Sequence, residues 1–320
     1  MSKKSTKLRD TALLRSASDA DAALVGELIN ACTTAYQGVA RSSTQDALAR
    51  LHFGGSDPAR DAFVVIDGER TVGFAHLWRF GPDEVRCFAR AHPDARGAGI
   101  GDALVTRCRQ RAAEVFAENP ASGEATMTAT AWARDATGPA LLRAHGFTPV
   151  RHFLSMAIGT DEIRDPVVWP TGVESRVFRS GDEAPLFDAF SDAFAEQWGA
   201  AQDSSSWWRE RRDSKADFDP SLWLVAVADE IVGFALCEIR RDGVRTLGRV
   251  AEIGVRRRCR GEGIGYALLV DAFSMLRGRG ATEITLDVDS DNVTSAIRLY
   301  LKAGMVERPA FSVWGRKMAP

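Results

Sequence analysis

Residues 96–101 read Arg96-Gly97-Ala98-Gly99-Ile100-Gly101, and residues 260–265 read Arg260-Gly261-Glu262-Gly263-Ile264-Gly265. Both stretches follow the pattern R-G-x-G-I-G, and each precedes an apolar run of helical character. A glycine-rich turn that opens a helix presents backbone N–H groups to an anion, with the positive end of the helix dipole behind them. Because glycine lacks a Cβ atom, a phosphate can approach this backbone closely. The two stretches predict two phosphate-binding loops and a duplicated domain.

Other landmarks repeat in the same order. Val72-Gly73-Phe74-Ala75 recurs as Val232-Gly233-Phe234-Ala235, and Gly146 near the end of the first copy corresponds to Gly304 in the second. All these pairs are separated by about 160 residues, an ordinary size for one domain. The sequence therefore predicts an N-terminal domain at 1–165 and a C-terminal domain at 171–320.

The hydropathy pattern predicts a mixed α/β fold with a mixed sheet in each repeat. In both copies a helix precedes a strand hairpin, and in the C-terminal copy a third strand leads into the glycine loop and its helix. The predicted helices are 19–32, 181–194, 264–276 and 294–303, and the predicted strands are 62–66, 71–77, 222–228, 231–239, 249–255, 283–288 and 312–317.

The composition is that of an ordinary soluble globular protein. Of 320 residues, 45% are hydrophobic and 26% are charged, with a net charge of −2. This balance excludes a strongly basic nucleic-acid binder, and no apolar run approaches the roughly 20 residues that span a bilayer. The five scattered cysteines lack metal-ligand spacing, so we expect reduced thiols, no metal and a cytoplasmic location.

The glycine loops have rival interpretations. A dinucleotide fingerprint requires a third glycine that neither copy has, and a P-loop requires Gly-Lys-Ser/Thr, which is absent. A tight structural turn between strand and helix remains the alternative. The repetition of strand, arginine, glycines and helix in both copies favours an anion site.

Both loops resemble the acyl-CoA signature of the GNAT acyltransferase superfamily, Gln/Arg-x-x-Gly-x-Gly/Ala. In the C-terminal copy Asn292, Ala296, Leu299-Tyr300 and Gly304 are similar to the second signature of that family. The resemblance covers nearly the whole chain as tandem domains, an organisation similar to that of mycothiol synthase-like enzymes. It implies an acetyl-CoA-dependent N-acetyltransferase that acetylates a small-molecule amine directly, as a monomer or homodimer.

The resemblance also implies roles for individual residues. In the C-terminal copy, backbone amides of the loop would hold the pyrophosphate, the preceding strand end would pair with pantetheine, and Asn292 would bind the pantetheine arm. Tyr300 would protonate the departing thiolate. The expected cofactor-binding residues are Ile253, Gly254, Val255, Arg260, Gly261, Glu262, Gly263, Ile264, Gly265, Tyr266 and Asn292, with Arg96, Gly97, Gly99 and Gly101 in the first copy.

The two copies differ where the chemistry would occur. Alignment on Gly146 and Gly304 places Leu142 opposite Tyr300 and Arg134 opposite Asn292, so we expect the C-terminal copy to be catalytic. The N-terminal copy is expected to bind acetyl-CoA structurally or to leave its loop empty. The alternative for Tyr300 is that it packs the core as an amphipathic helix residue.

The general base has two candidates. All five histidines lie in the N-terminal half, so a C-terminal site needs a carboxylate, a water relay or a residue lent across the interface. Glu252 lies on the strand before the loop and is favoured slightly, and Asp287 on the next strand is the other candidate. Arg249 occupies a position where several relatives have a glutamate. Each carboxylate has the alternative of a solvated or salt-bridged strand residue.

The region 192–219 is the expected acceptor site. Trp198, Trp207 and Trp208 would form an aromatic wall there, with core or hinge packing as the alternative. One specific version of the reaction acetylates a cysteinyl amino-sugar, and another acetylates a protein or peptide amine. A non-catalytic acyl-CoA-binding regulator that uses both loops is the non-enzyme alternative.

Overall fold

The computed structural model describes residues 8, 11–38, 42–163, 167–195, 219–242, 245–291 and 296–318. These residues form two compact units. Unit 1 contains the described residues of 1–152 together with 311–318, and unit 2 contains those of 153–310.

Unit 1 is a sheet with helices on both faces. Its order of strands is β1-β2-β3-β4-β5-β12, and all neighbours pair antiparallel except β4 and β5, which are parallel. One core lies between the sheet and α4, and another between the sheet and α1. The strands are β1 (Ala12–Ser16), β2 (Ala62–Asp67), β3 (Arg70–Phe80), β4 (Glu84–Ala91), β5 (Thr126–Trp132) and part of β12 (Val306–Lys317), and the helices are α1 (Ala22–Gln37), α2 (Thr44–Leu51), α3 (Pro58–Asp61), α4 (Ile100–Glu118) and α5 (Thr137–Ala144).

Unit 2 repeats this plan. Its order of strands is β7-β8-β9-β10-β11-β6, again with one parallel pair, β10 and β11. The strands are β6 (Thr148–Gly159, from residue 153), β7 (Glu174–Val177), β8 (Trp223–Val227), β9 (Ile231–Asp242), β10 (Arg245–Val255) and β11 (Glu283–Asp289), and the described helices are α6 (Glu183–Phe194), α7 (Ile264–Gly278) and α8 (Ala296–Lys302).

Each unit completes its sheet with the last strand of the other repeat. β6 ends the first repeat in sequence, yet its residues 153–159 pair with β11 of unit 2. β12 ends the second repeat, and its residues 311–317 pair with β5 of unit 1. The compact units are therefore not contiguous in sequence, while the boundaries 1–165 and 171–320 stay a prediction about the repeats.

The repeated Val-Gly-Phe-Ala segments have a packing reason. A Cβ atom on Gly73 would lie 2.6 Å from Cγ2 of Ile100, and one on Gly233 would lie 2.9 Å from Cδ1 of Leu268. Both glycines thus allow α4 or α7 to pack closely against the strand beneath it. The duplication deduced from the sequence therefore has a physical counterpart in helix–sheet packing.

The predicted elements are confirmed within the described residues. The helix predicted at 264–276 spans Ile264–Gly278, and the strand predicted at 283–288 spans Glu283–Asp289. The helix predicted at 294–303 is described as Ala296–Lys302. Hydrophobic periodicity located these elements because each buries one face against a core.

Candidate functional site

The parallel strand pair of each unit separates at its carboxyl end. β10 and β11 pair from Leu247↔Glu283 only as far as Arg249↔Thr285. β4 and β5 likewise pair from Glu84↔Thr126 to Cys87↔Ala129. Beyond these points both strands of a pair continue without pairing to each other, which leaves a wedge in the sheet. Strand ends beside such a wedge can hydrogen-bond an extended ligand.

The glycine loop of each unit lies where the wedge opens. In unit 2 it follows β10 after one 3-10 turn (Arg257–Cys259) and contains Gly263, the N-cap of α7, with φ +89°. In unit 1 the corresponding N-cap of α4 is Gly99, with φ +78°. Positive φ at both caps explains the choice of glycine. The N-terminal amides of α7 and α4 therefore point out beside the wedge, where a phosphate fits.

The arginine that begins each loop motif contacts the first helix of its repeat. Nη2 of Arg260 donates to the carbonyl oxygen of Ala193 at 2.8 Å, on α6. Nη2 of Arg96 donates to the hydroxyl of Tyr36 on α1, and its guanidinium lies over the Tyr36 ring. Both arginines are among the cofactor-binding residues predicted from the sequence, and sequence reasoning missed this contact with the helix. In both units the arginine side chain fixes the loop to the neighbouring helix.

A β-bulge in β10 determines where Glu252 points. The pairing of β9 with β10 shifts register between Val250 and Glu252, so Ala251 is an extra residue. In a regular strand without a bulge, Glu252 would share the face of Val250, which belongs to the core. With the bulge it shares the face of Gly254, where a Cβ atom would lie 3.0 Å from Cβ of Ala193 on α6. Glu252 is half-buried on the α6 face of the wedge.

The second candidate base, Asp287, is in an ion pair. Nη2 of Arg249 lies 3.0 Å from Oδ2 of Asp287, and both side chains are partly exposed. The two residues lie at the point where β10 and β11 separate. Asp287 is therefore a salt-bridged strand carboxylate, which was the alternative to a general base in the sequence analysis. Its negative charge is balanced by Arg249.

Tyr300 lies in the core of unit 2, on α8. It is 6% exposed, and burial raises its pKa to about 12. A phenol with this pKa stays protonated at neutral pH. The preceding residue, Leu299, is 3.7 Å from the position of a Cβ on Gly265, so α8 packs against the glycine loop. Tyr300 therefore packs in the core and lies on a helix that contacts the loop. Leu142, at the equivalent position of unit 1, is buried as well.

A cavity of about 250 Å³ occupies the wedge of unit 1. The glycine loop lines one part of it through Gly97 and Gly99. Arg90 and Trp132 from the separated strand ends line another. Sequence reasoning missed Arg90, although a comparison of the two repeats aligned on their glycine loops places this arginine opposite Gly254.

Several predicted site residues contribute in other ways or cannot be described. Ile264 is buried against the sheet, whereas Glu262 is exposed. The ring of Tyr266 has Nζ of Lys302 at 4.9 Å from its centroid. Ile253 and Val255 pack against the core of unit 2 from the strand end. Four predicted residues lie outside the described residues, namely Asn292, Trp198, Trp207 and Trp208.

In the part of the chain that the structure describes, His, Cys, Asp and Glu side chains form no group of three that could hold a metal ion. Across the same ranges, no helix combines the length and apolar character needed to cross a membrane.

Both halves of the chain match family models. Residues 184–305 match the acetyltransferase (GNAT) family, and residues 58–149 match an acetyltransferase (GNAT) domain. The two matches contain the two glycine loops and their wedges.

Similar proteins of comparable length agree with these matches. The chain is 29% identical over 277 residues to a mycothiol acetyltransferase of Thermobispora bispora. The aligned region covers 82% of this chain and 86% of the relative. It is 31% identical over 301 residues to a mycothiol acetyltransferase of Rhodococcus opacus, with 89% and 91% covered. Its structure resembles that of a GCN5-related N-acetyltransferase from Sphaerobacter thermophilus, with a TM-score of 0.78, 28% identity and 98% of each chain covered.

Proposed function

The chain belongs to the GNAT acetyltransferase family, and from this premise we propose that its C-terminal unit transfers an acetyl group from acetyl-CoA directly to a primary amine of a small molecule. The observation that carries the proposal is the β10 bulge, which turns Glu252 toward the α6 face of the wedge. A carboxylate beside a glycine loop and an open strand end has the arrangement that amine acetylation requires. Unit 1 has no such carboxylate at the corresponding strand position.

Acetyl-CoA would bind along the wedge of unit 2. The amides of residues 261–266 and the positive end of the α7 dipole would hold the pyrophosphate. The unpaired edge of residues 253–255 would hydrogen-bond the pantetheine arm as an added strand does. Asn292 would bind the same arm, as the family signature implies. A Cβ atom on Gly261 would have no atom within 4 Å, so its backbone is open to a phosphate.

Acetyl transfer requires one proton to be removed and another to be supplied. Glu252 would accept a proton from the acceptor amine, whose nitrogen then attacks the thioester carbonyl carbon. The C–S bond breaks as the new C–N bond forms, and Tyr300 would donate its phenolic proton to the thiolate. The Tyr300 phenol is fully protonated before the reaction because burial raises its pKa. No acyl-enzyme is formed, and positioning the two substrates supplies most of the rate enhancement.

The acceptor would approach from the α6 face, because Glu252 points there. The Arg249–Asp287 pair flanks this approach and offers one hydrogen-bond donor group and one acceptor group. An amine that also carries hydroxyl groups fits such a pair. The similarity to mycothiol acetyltransferases makes a cysteinyl amino-sugar the first acceptor to try. Trp198, Trp207 and Trp208 remain predicted contacts, and a protein or peptide amine remains the second candidate.

Unit 1 would bind a coenzyme A thioester without converting it. Its loop, α4 dipole and cavity provide a binding site, but Leu142 stands in place of Tyr300. A purely regulatory chain would need both units to lack the chemistry. The intact Glu252 and Tyr300 in unit 2 favour an enzyme with one working and one structural site.

The test uses a matched pair of loop variants, Gly261→Val and Gly97→Val. Both glycines have positive φ, +84° and +76°, and neither would place a Cβ atom within 4 Å of any neighbour. The two substitutions therefore introduce the same backbone strain, about 1–2 kcal/mol, in equivalent places. Acetyl transfer to a panel of small amines, including a cysteinyl amino-sugar, is measured after thermal melting confirms that both variants fold.

We expect Gly261→Val to reduce kcat/KM for acetyl-CoA by at least about a hundredfold, because the branched side chain occupies the place of the phosphate. Gly97→Val should retain most of the wild-type turnover. The reverse pattern would assign the active site to unit 1. No acetylation of any amine by the wild-type chain would favour the regulatory alternative.

A further inference from the structure

Arg90 has an unusual environment in unit 1. Its guanidinium lies between two aromatic rings, 4.0 Å from the centroid of Phe88 and 4.1 Å from that of Trp132. Nη1 donates to the carbonyl oxygen of Ala89 at 2.8 Å. The buried Nε has no hydrogen-bond partner among the described residues. The aromatic rings hold the guanidinium plane in place but leave this donor unsatisfied.

A half-buried guanidinium whose Nε is shielded from water normally has an anion beside it. Burial lowers the pKa of Arg90 to about 10, which reflects the cost of keeping the charge out of water. Among the ion pairs of the described residues, none includes Arg90. Arg86 lies on the same face of the same strand and pairs with Glu84 at 3.0 Å. Unlike Arg86, Arg90 has no carboxylate within ion-pair distance among the described residues, so its guanidinium can pair with a carboxylate of a ligand.

The cavity connects Arg90 with the glycine loop. Gly97 and Gly99 line one part of the 250 Å³ space, and Arg90 and Trp132 line another. A ligand that fills it therefore meets phosphate-binding amides and a guanidinium suited to a carboxylate. Asp135 also lines the cavity, but its Oδ1 accepts hydrogen bonds from the backbone and hydroxyl of Thr137. Asp135 forms no ion pair with Arg90 among the described contacts, although its charge partly offsets the lowering of the Arg90 pKa by burial.

Unit 2 has no counterpart of Arg90. The register of β3 with β4 and of β9 with β10 places Gly254 at the position of Arg90. A Cβ atom on Gly254 would lie only 2.6 Å from Cζ of Phe234, so a side chain does not fit there. A selectivity that depends on Arg90 therefore belongs to unit 1 alone.

We propose that the cavity of unit 1 binds a coenzyme A thioester whose acyl group ends in a carboxylate, with Arg90 as the counter-ion of that carboxylate. The proposal rests on the proposed function in one respect, namely that the glycine loops hold coenzyme A. It assigns to unit 1 a ligand class different from the acetyl-CoA that unit 2 consumes. The thioester is bound and not converted, so no bond is made or broken there.

The experiment compares two thioesters of equal chain length by calorimetry on the full chain. Succinyl-CoA carries the terminal carboxylate, and butyryl-CoA replaces it with a methyl group. The proteins are the wild type, Arg90→Leu, Arg90→Gln and the control Arg86→Leu, which removes a strand arginine that does not line the cavity. Melting curves establish that each variant folds. If Arg90→Leu does not fold, Arg90→Gln alone tests the loss of the guanidinium.

We expect one wild-type site to bind succinyl-CoA at least about tenfold more tightly than butyryl-CoA, since a charged hydrogen bond to a buried partner is at stake. Both Arg90 variants should lose this preference, and Arg86→Leu should keep it. Any site in unit 2 should be insensitive to the Arg90 changes. Equal affinity of the wild type for both thioesters, or a preference that survives loss of Arg90, would overturn this inference but leave the proposed function intact. Failure of both thioesters to bind would also overturn the inference, and only the further failure of acetyl-CoA to bind would overturn the proposed function.

Discussion

β4 of unit 1 and β10 of unit 2 occupy the same place in equivalent sheets, yet only β10 contains a bulge beside the wedge. β3 and β4 pair without interruption from Gly73↔Ala91 to Phe80↔Glu84. β9 and β10 shift register between Val250 and Glu252. One extra residue in a strand re-aims a side chain without altering the rest of the sheet. The comparison teaches that a duplicated fold can keep its glycine loop in both copies while a strand carboxylate is turned toward the wedge in only one of them.

The residues at equivalent positions follow the same division. Phe88 pairs with His76 as Glu252 pairs with Leu236, so an aromatic ring replaces the candidate base in unit 1. Leu142 replaces the candidate acid, Tyr300. Features that hold the fold are retained in both units, as the Val-Gly-Phe-Ala strands show. The two units therefore share the residues that pack the fold and differ at the two candidate catalytic positions.

The largest expected effect comes from removing the candidate base. Glu252→Gln should lower kcat by about a thousandfold, because general-base catalysis contributes about 10²–10⁴-fold. The amide keeps the shape of the side chain but cannot accept the proton. Steady-state acetyl transfer at saturating acetyl-CoA measures the effect. The companion variant Asp287→Asn should cost less than tenfold, and a larger loss from Asp287→Asn than from Glu252→Gln would exchange the roles of the two carboxylates.

Replacing the candidate acid should have the next largest effect. Tyr300→Phe removes only the hydroxyl and should lower kcat by about a hundredfold with little change in KM. Leu142→Met at the equivalent position of unit 1 is the control and should leave kcat within twofold. The readout is turnover with acetyl-CoA and with a thioester whose leaving thiol is more acidic. A smaller Tyr300→Phe defect with the more acidic leaving group would identify proton donation, and unchanged turnover would remove Tyr300 from the mechanism.

The response to acid should separate the two units. His76 of unit 1 is fully buried, and burial lowers its pKa to about 3 from the ordinary 6.5. The unfolded chain binds a proton below pH 6.5 that the folded chain does not, so this stability is complete above pH 6.5 and decreases as the pH falls toward 3. The decrease approaches about 1.4 kcal/mol per pH unit.

Hydrogen exchange measured between pH 7 and 4.5 compares how the stability of each unit responds to acid. Unit 1 should lose protection before unit 2, since all five histidines lie outside unit 2. A His76→Gln variant, although less stable at neutral pH, should lose that dependence on pH. Parallel loss of protection in the two units of the wild type would contradict the prediction.

The smallest effect concerns an ion pair present in both units. Arg15 pairs with Asp21 at 2.6 Å, and Arg176 pairs with Asp182 at 2.6 Å. Each arginine lowers the pKa of its aspartate, so the stabilisation is present above the ordinary aspartate range and is lost in stronger acid. Asp21→Asn and Asp182→Asn should each cost about 1 kcal/mol of unfolding free energy. Denaturant melts should show nearly equal losses, and a much larger loss in one unit would reveal a role beyond the fold.

Much of the fold could be predicted because its signals are local. The glycine loops, the hairpins and the amphipathic helix α7 each depend on residues close in sequence. The β10 bulge could not be foreseen, because a single extra residue is visible only when the pairing partner of each strand residue is known. Arg90 escaped notice for a similar reason. Its meaning depends on Phe88, Trp132 and a cavity that only the folded sheet assembles.

The exchange of last strands has a consequence for the synthesis of the protein. β5 is complete by residue 132, but its partner in β12 begins about 180 residues later. At a typical elongation rate of about 5–20 residues per second, the edge of β5 waits on the order of 10–40 s for that partner. During this interval the nascent N-terminal half carries an unpaired strand edge, a template for wrong pairing. The ribosome thus sets the earliest moment at which unit 1 can close its sheet, and premature termination near the end would leave that half unfinished.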